Sequence, residues 1–338
     1  MEGFDERNGA INTRTPYLKN PMDRINAPKP DQLLIVGTGA LATLFAWQLA
    51  RAHYDIMLLG SWQPGVSALR ENGARLVDAN GTEQAFPVRI VEDASQCHGA
   101  KHAIVLVKSW QTRRVARQLA ECLSDDGLAI TLQNGLGNYE ILVEILGKDR
   151  VTLGSTTAGA TLLGPGLVRS GGEGIISIQS HPHLAPVEEA LRSAGFKVEV
   201  VADANSLVWG KLVINSAINP LTALLRVPNG ELLKRPTARA MMRALAQETA
   251  AVAFAERVNL TFGDPAALVE DIARRTAGNY SSMFQDVRRG TPTEIEAICG
   301  AVARTGRRDG VPTPMNDACW QLVQALSPSA GNVPGSPE

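Results

Sequence analysis

The sequence predicts an α/β protein with an N-terminal Rossmann-type domain followed by an all-helical C-terminal domain. The stretch "QLLIVGTGALATLFAWQLARAHYDIMLLGS", from Gln32, reads as strand, glycine turn, helix and second strand. Apolar runs and helical patterns then alternate up to about residue 204, and from residue 205 the patterns are helical. We therefore expect the Rossmann-type domain over residues 31–204 and the helical domain over residues 205–326.

Short apolar runs between turn signals predict the other strands of the first domain. These runs cover residues 75–78, 86–91, 103–107, 128–132, 151–155, 166–170, 174–179 and 196–201. Helical patterns at 111–123, 138–146 and 186–194 lie between several of them, as in a doubly wound parallel sheet. In the second domain, Pro, Gly and Asn-Gly signals separate predicted helices at 205–225, 237–258, 265–277, 280–289, 293–306 and 313–325.

The two ends of the chain differ from the rest in composition. Residues 1–30 are polar, contain several prolines and lack the apolar core of a signal peptide, so we expect a flexible extension there. Residues 327–338 have a disorder-prone composition. No stretch between them reaches the roughly 18 uninterrupted apolar residues of a membrane span. We therefore expect a cytoplasmic protein.

The charge balance narrows the classes of partner. The chain has 33 basic and 34 acidic residues and a formal net charge of −1, which indicates neither nucleic acid nor an anionic membrane as a partner. A small-molecule ligand is expected instead. The four cysteines of the chain are far apart and form no C-x-x-C, so we expect reduced thiols that pack in the core. We predict no metal-binding residues.

A glycine-rich turn follows the first strand. Residues 37–42, "GTGALA", fit G-x-G-x-x-A at a strand-to-helix junction. The glycines allow close backbone approach, and the helix N-terminus offers free N–H groups to a pyrophosphate. A glycine turn without a ligand is the alternative. Because the turn lies in the first βαβ unit, we predict dinucleotide binding by Gly37, Thr38, Gly39, Ala40 and Leu41.

The end of the second strand bears on which dinucleotide binds. An Asp or Glu there would bind the ribose 2′-hydroxyl of NAD, but the strand ends in "LLGSWQ". Without a carboxylate there is no obvious repulsion of a 2′-phosphate, and the hydroxyl of Ser61 could donate a hydrogen bond to it. An arginine, the usual phosphate partner, is missing from this stretch. These residues favour NADP over NAD only slightly.

Polar residues end two further strands of the predicted parallel sheet. "IVLVKSWQ" ends with Lys108 and "ITLQNGLG" with Asn134, and ligands bind beyond the carboxyl ends of such strands. The alternatives are a solvated loop lysine and the first residue of an Asn-Gly turn. Because both lie at corresponding strand ends, we predict that both contact the cofactor.

Three polar residues recur every four positions in "KLVINSAINP", an otherwise largely apolar helix. Lys211, Asn215 and Asn219 share one face, each about 40° round from the last. Burial would lower the pKa of the lysine, so this residue is either paired or poised for proton transfer. A poised lysine could protonate the alkoxide that forms when hydride reaches a carbonyl. A hydrated polar stripe at a domain boundary is the alternative.

Two later segments offer possible partners with ordinary alternative roles. In "TPTEIEAICG", Glu294 has the opposite charge to Lys211, but Thr291 or Thr293 can also cap a helix with Glu294 in its first turn. In "NYSSMFQD", Ser281 or Ser282 can simply cap a helix.

Taken together, these motifs resemble the ketopantoate reductase (2-dehydropantoate 2-reductase) family. The resemblance is carried by the G-T-G-A-L turn, "VKSWQ", "QNGLG", "KLVINSAINPLTALLRVPNGEL", "SSMFQD" and "TEIEAICG", and it extends from about Leu33 to Ala325. It implies an NADPH-dependent reduction of 2-dehydropantoate to (R)-pantoate, a step of pantothenate biosynthesis. The reaction would take place between a Rossmann domain and a helical domain.

The resemblance also assigns roles to particular residues. Lys211 would be the general acid and Glu294 an active-site residue that also contacts the cofactor, while Lys108, Asn134 and the backbone at Ala160 would bind the cofactor. The substrate-binding residues would be Asn215, Asn219, Asn229 and Ser282. Many family members carry an arginine after the second strand where this chain has Ser61, and Ala42 replaces the usual third glycine.

Two other functions remain open from the sequence. The same fold and hydride chemistry could act on a different 2-oxo acid, and NADH is not excluded as the cofactor. A protein that senses NADP(H) without turnover is the alternative from another class, although a sensor needs no proton donor. The apolar faces of the helical domain would allow a homodimer.

Overall fold

The structure is a computed structural model that describes residues 32–326. The predicted flexible extension over 1–30 and the predicted disordered tail over 327–338 lie outside the described residues. Within the described range, the protein has an α/β region followed by a helical region, which confirms the predicted fold class.

The α/β region contains two sheets. The larger has eight strands in the order β12-β11-β8-β7-β6-β1-β2-β5, and the smaller has four in the order β4-β3-β10-β9. In the larger sheet only β11 and β8 pair antiparallel. The strands are β1 (Leu33–Val36), β2 (Ile56–Leu59), β3 (Ala74–Val77), β4 (Glu83–Phe86), β5 (Arg89–Val91), β6 (Ala100–Val105), β7 (Leu123–Thr131), β8 (Val151–Thr156), β9 (Ala160–Gly164), β10 (Leu167–Ser170), β11 (Ile175–Gln179) and β12 (Lys197–Val201).

Twelve α-helices lie in the described range, five in the α/β region and seven after it. They are α1 (Ala40–Arg51), α2 (Gln63–Asn72), α3 (Thr112–Cys122), α4 (Asn138–Leu146), α5 (Ala185–Ser193), α6 (Asn205–Leu225), α7 (Glu231–Lys234), α8 (Pro236–Ala255), α9 (Pro265–Arg275), α10 (Ser282–Arg289), α11 (Ala301–Asp309) and α12 (Pro314–Leu326). Within this range, no helix is both long and apolar enough to cross a membrane.

The larger sheet is covered on both faces, which explains its nearly continuous apolar strands. Leu33 and Ile35 of β1 pack into one apolar cluster with α1 and α5, whereas Leu34 and Val36 pack into another with α3 and α4. A third cluster fills the helical region around α6. All four cysteines are free and buried, as expected for a packing role.

The single strand predicted over 86–91 is wrong. The chain forms β4 and β5 there, and they belong to different sheets. Pro87 lies between them and has no N–H for a continuous ladder, so the chain can change sheets at this point. Helix α2 is not predicted from the sequence, because its "QPG" start resembles a turn although Pro64 suits a first helical turn.

The predicted helix over 293–306 is also different in detail. It starts as a π-helical turn, Glu296–Gly300, and continues as α11. The wider turn leaves Glu294 just ahead of the helix, where its side chain can reach the α/β region. Such turns are frequent at functional sites.

Candidate active site

The predicted site residues of the α/β region lie at the carboxyl ends of its parallel strands. The glycine turn follows β1, Lys108 follows β6 and Asn134 follows β7. Strands β1 and β6 are neighbours, and the chain continues from them in opposite directions along the sheet. A crevice at such a switch point is where open α/β sheets bind ligands.

The glycine turn has the geometry of a phosphate cradle. Gly37 has φ of +129°, and an added Cβ would lie 3.3 Å from the carbonyl carbon and oxygen of Leu106, so a side chain there would be strained and tightly packed. Gly39 precedes α1, and an added Cβ would meet no atom within 4 Å. No described side chain caps α1, so the first N–H groups of this helix are left for a ligand to bind. The turn therefore fits a dinucleotide pyrophosphate.

An arginine lies beside Ser61 although none follows β2 in the sequence. Arg114 of α3 donates a hydrogen bond from Nη1 to the Ser61 hydroxyl oxygen, at 2.7 Å. The two residues are 53 positions apart. Sequence reasoning missed this arginine, although it lies only six residues after Lys108, at the same edge of the sheet.

Lys108 forms an ion-pair cluster with two buried carboxylates. Its Nζ is 2.6 Å from Oδ2 of Asp286 and 3.6 Å from Oε2 of Glu294. Both carboxylate residues are 5% exposed. Burial opposes the charge on the lysine, but the two carboxylates outweigh it and raise the pKa of Lys108. The cluster joins the end of β6 to the helical region. Asp286, which sequence reasoning missed, is the last residue of "SSMFQD".

The side chain of Glu294 faces the strand ends and does not cap its own helix. Its Oε1 accepts a hydrogen bond from the backbone N–H of Ser109 at 3.2 Å, and its Oε2 accepts one from Nδ2 of Asn134 at 3.3 Å. Asn134 is held in turn by Asn138, whose Nδ2 donates to the Asn134 carbonyl at 3.0 Å. The structure thus brings three predicted residues, Lys108, Asn134 and Glu294, into one cluster.

Lys211 has a different environment from Lys108. Its Nζ donates a hydrogen bond to the carbonyl oxygen of Thr156, the last residue of β8, at 2.6 Å. Burial lowers the pKa of Lys211 to about 8, and the charge of Glu294 opposes this shift in part. Glu294 therefore acts on Lys211 through its charge, while its hydrogen bonds go to Ser109 and Asn134. The Thr156 carbonyl is a partner that no sequence motif indicates.

The polar stripe of α6 ends at a proline. Asn219 precedes Pro220, which has no N–H to donate to the carbonyl of Ser216. The thiol of Cys299 donates to that carbonyl instead, at 3.7 Å. The helix therefore continues through Pro220 and keeps Asn219 in register with Lys211, two turns earlier.

The amide side chains predicted to bind substrate are largely free of protein partners. Asn215 and Asn219 make no side-chain hydrogen bond among the described residues, although Asn219 is buried. Asn229 donates from Nδ2 to Oγ1 of Thr276 at 2.9 Å. Its Oδ1 is buried without a partner in the described part of the chain. Because buried amides are normally satisfied, these groups indicate a place for a polar ligand.

Ser281, and not Ser282, caps helix α10. The Ser281 hydroxyl oxygen accepts from the backbone N–H of Phe284 at 3.1 Å and from the Thr222 hydroxyl at 2.7 Å, which ties α10 to α6. Ser282 is exposed, and its hydroxyl makes no hydrogen bond to any described residue. Ala160 is the first residue of β9, four positions beyond Thr156. The assigned binding roles of Ser282 and Ala160 remain predictions.

Comparison with protein families gives two matches that together span most of the chain. The model described as "Ketopantoate reductase PanE/ApbA" matches residues 33–183, and "Ketopantoate reductase PanE/ApbA C terminal" matches residues 203–327. Among curated relatives, a 2-dehydropantoate 2-reductase of Halobacterium salinarum is 34% identical, and the alignment covers 87% of this chain and 98% of that protein. A 2-dehydropantoate 2-reductase of Archaeoglobus fulgidus is 36% identical, and the alignment covers 86% of this chain and 96% of that protein.

Solved structures are similar over nearly the same range. A PanE/ApbA family ketopantoate reductase from Ralstonia eutropha JMP134 has a TM-score of 0.81 at 31% identity, covering 87% of this chain and 98% of its own. A D-mandelate dehydrogenase in a ternary structure with NADH and anilino(oxo)acetate also has a TM-score of 0.81, at 27% identity and the same coverage. The chain is thus similar to oxidoreductases that are named for different substrates.

Proposed function

The chain belongs to the ketopantoate reductase family, and we propose that it reduces 2-dehydropantoate to (R)-pantoate with a reduced nicotinamide dinucleotide. We take NADPH as the cofactor, Lys211 as the general acid, and cytoplasmic pantothenate biosynthesis as the setting. The residues over 31–204 would bind the cofactor, and those over 205–326 would supply the substrate and dimer contacts. The observation that carries the proposal is the half-buried Lys211 side chain, whose ammonium is held by the Thr156 carbonyl at the strand ends.

The environment of Lys211 suits a proton donor. With a pKa of about 8, the side chain is protonated at neutral pH and gives up its proton more readily than an exposed lysine. The Thr156 carbonyl accepts one of its three N–H groups and fixes the direction of the others. Burial favours the neutral amine that remains after the proton has left.

The glycine turn, Gly37 to Leu41, would hold a nicotinamide dinucleotide, which would supply a hydride for the carbonyl carbon of the substrate. Lys211 donates a hydrogen bond to the carbonyl oxygen and then a proton to the alkoxide, which yields a 2-hydroxy acid. Part of the rate would come from holding the carbonyl in the correct orientation beside Lys211.

The neighbouring ion-pair cluster sets the charge of the site. Glu294 raises the pKa of Lys211 and so keeps it charged until transfer. Lys108 and the protonated Lys211 together balance the two buried carboxylates, so an anionic substrate does not meet unbalanced negative charge. Asn134 and the Ser109 amide hold the Glu294 side chain in one orientation.

The free polar groups suit the ends of 2-dehydropantoate. This acid carries a carboxylate next to its oxo group and a hydroxyl at the other end. Ser282, in the first turn of α10, would hold the carboxylate, because free N–H groups and the helix dipole favour an anion there. Asn215, Asn219 and Asn229 would bind the hydroxyl end, where the buried Oδ1 of Asn229 needs a donor.

A second candidate is the reduction of another 2-oxo acid, which the similarity to D-mandelate dehydrogenase favours. An aromatic acid would have no hydroxyl to satisfy the asparagine side chains, and leaving such groups unpaired is costly. This cost favours the hydroxylated acid. A protein that senses the cofactor would have no use for a poised Lys211.

Substrate profiling of the purified protein distinguishes these functions. 2-Dehydropantoate, 2-oxo-2-phenylacetate and short aliphatic 2-oxo acids are each offered with NADPH and with NADH, and loss of reduced-cofactor absorbance is followed. The proposal expects the highest kcat/KM for 2-dehydropantoate. Turnover of the other acids alone would favour the second candidate, and cofactor binding without turnover of any acid would favour a sensor.

A further inference from the structure

The end of β2 lacks the group that selects NAD. In a Rossmann unit, a carboxylate at this position binds the ribose 2′-hydroxyl and repels a 2′-phosphate. Here the strand is followed by Gly60, Ser61 and Trp62. Gly60 is confined, because an added Cβ would lie 2.4 Å from the Thr38 side chain, so the backbone that leads to Ser61 packs directly against the cofactor turn.

Arg114 brings a positive charge to this place. Its guanidinium donates to Ser61 at 2.7 Å, and no carboxylate in the described part of the chain pairs with it. The adjacent Arg113 is already occupied, since it donates to both oxygens of Glu144 at 2.9 Å. Of two consecutive arginines, only Arg114 is therefore free to bind an anion.

The surroundings of Ser61 contain little opposing charge. Glu92 accepts hydrogen bonds from Gln63 and from Arg70, and these bonds lower its pKa. The ion pair with Arg70 offsets its negative charge. Helix α2 begins at Gln63 with no acidic residue in its first turn, so its N-terminal dipole adds positive potential.

We propose that Arg114 and Ser61 form the binding site for the 2′-phosphate of NADP(H), with the arginine supplied by α3 instead of the segment after β2. This inference rests on the proposed function and names the residues that would recognise the 2′-phosphate of the cofactor proposed there. A guanidinium can bind a phosphate through two parallel N–H groups, and the Ser61 hydroxyl still has its own hydrogen to donate. Arg114 would thus take the place of the arginine that is absent from the segment after β2.

Calorimetric binding of NADP⁺, NAD⁺, 2′,5′-ADP and 5′-AMP tests the site without turnover. The wild-type protein is expected to bind NADP⁺ at least roughly tenfold more tightly than NAD⁺. Arg114→Gln should weaken binding of NADP⁺ and 2′,5′-ADP by roughly 10- to 100-fold, with less than about a threefold effect on NAD⁺ and 5′-AMP. Retained NAD⁺ binding also shows that this variant is folded.

Two further variants complete the test. Arg113→Gln is the matched control and should leave the preference unchanged. Ser61→Asp should abolish the preference, because its carboxylate would pair with Arg114 and repel the phosphate. Equal losses for NADP⁺ and NAD⁺ in Arg114→Gln, or the same effect in Arg113→Gln, would overturn the inference but not the proposed function. If no dinucleotide binds the wild-type protein, both are overturned.

Discussion

Replacing Lys211 by methionine should lower activity and remove a pH-dependent cost to stability. Methionine keeps an unbranched chain of similar length but has no charge and no proton to donate. If Lys211 is the general acid, kcat should fall by roughly 10²- to 10⁴-fold. At the same time the variant loses the cost of burying an ammonium. A lysine with a purely structural role would not show this combination.

The size of the stability effect follows from the pKa. Burial moves it from 10.5 to about 8, and at about 1.4 kcal/mol per pKa unit this gap costs the folded state about 3 kcal/mol. Below about pH 8 the lysine is charged in both folded and unfolded states, so the full cost applies. As pH rises toward 10.5 the folded protein holds fewer protons than the unfolded chain, so the wild type regains this stability.

Urea unfolding of both proteins from about pH 7 to about pH 11 measures the effect. The free energy of unfolding of Lys211→Met minus that of the wild type should fall by about 3 kcal/mol over this range. The lost hydrogen bond to Thr156 offsets part of the gain at neutral pH by about 1–3 kcal/mol. In the wild type, kcat for reduction should decline above about pH 8. A difference in stability that does not vary with pH, or near-wild-type turnover of the variant, would refute the reasoning.

Other substitutions separate the roles of neighbouring residues. Lys108→Met should destabilise the protein by at least about 2 kcal/mol in urea unfolding, because it leaves two buried carboxylates without their partner; a gain in stability would contradict the ion-pair cluster. Gly37→Ala should destabilise it by about 1–3 kcal/mol through strain, whereas Gly39→Ala should unfold like the wild type but bind dinucleotide at least roughly tenfold more weakly by calorimetry. Equal stability of the Gly37→Ala and Gly39→Ala variants would argue against a phosphate cradle at the glycine turn. Ser282→Ala should raise KM for 2-dehydropantoate roughly tenfold without loss of stability, and Ser281→Ala should cost about 1 kcal/mol as a lost helix cap. An unchanged KM in Ser282→Ala would rule out its substrate role.

Local patterns predicted most of the fold. The bounds of α6 agree with the predicted 205–225, because a long apolar stretch with helical spacing has few competing conformations. The prediction of a single strand at 86–91 was wrong because the apolar pattern continues across Pro87. The pattern does not indicate which sheet each half joins. Strand β9 was missed although it forms a local antiparallel hairpin with β10, because its short run ends at the turn "GPG" and shows no clear alternation of apolar and polar residues.

The candidate site was predictable as a set of residues but not as a set of contacts. Strand-end positions and helical spacing singled out Lys108, Asn134 and Lys211. Their partners are far away in sequence: Lys108 binds Asp286, 178 residues later, and Lys211 binds Thr156, 55 residues earlier. Such pairings arise only when the helical region folds against the sheet, and no local pattern encodes them.

The most direct test of the proposed function compares two substrates that differ in one group. The kcat/KM for 2-dehydropantoate is measured beside that for the analogue in which hydrogen replaces the terminal hydroxyl. A site with asparagine side chains placed for that hydroxyl should prefer 2-dehydropantoate by at least roughly 10²-fold, because the analogue has no hydroxyl for the unpaired Oδ1 of Asn229 or for the amides of Asn215 and Asn219. Equal values, or a preference for the analogue, would contradict 2-dehydropantoate as the substrate.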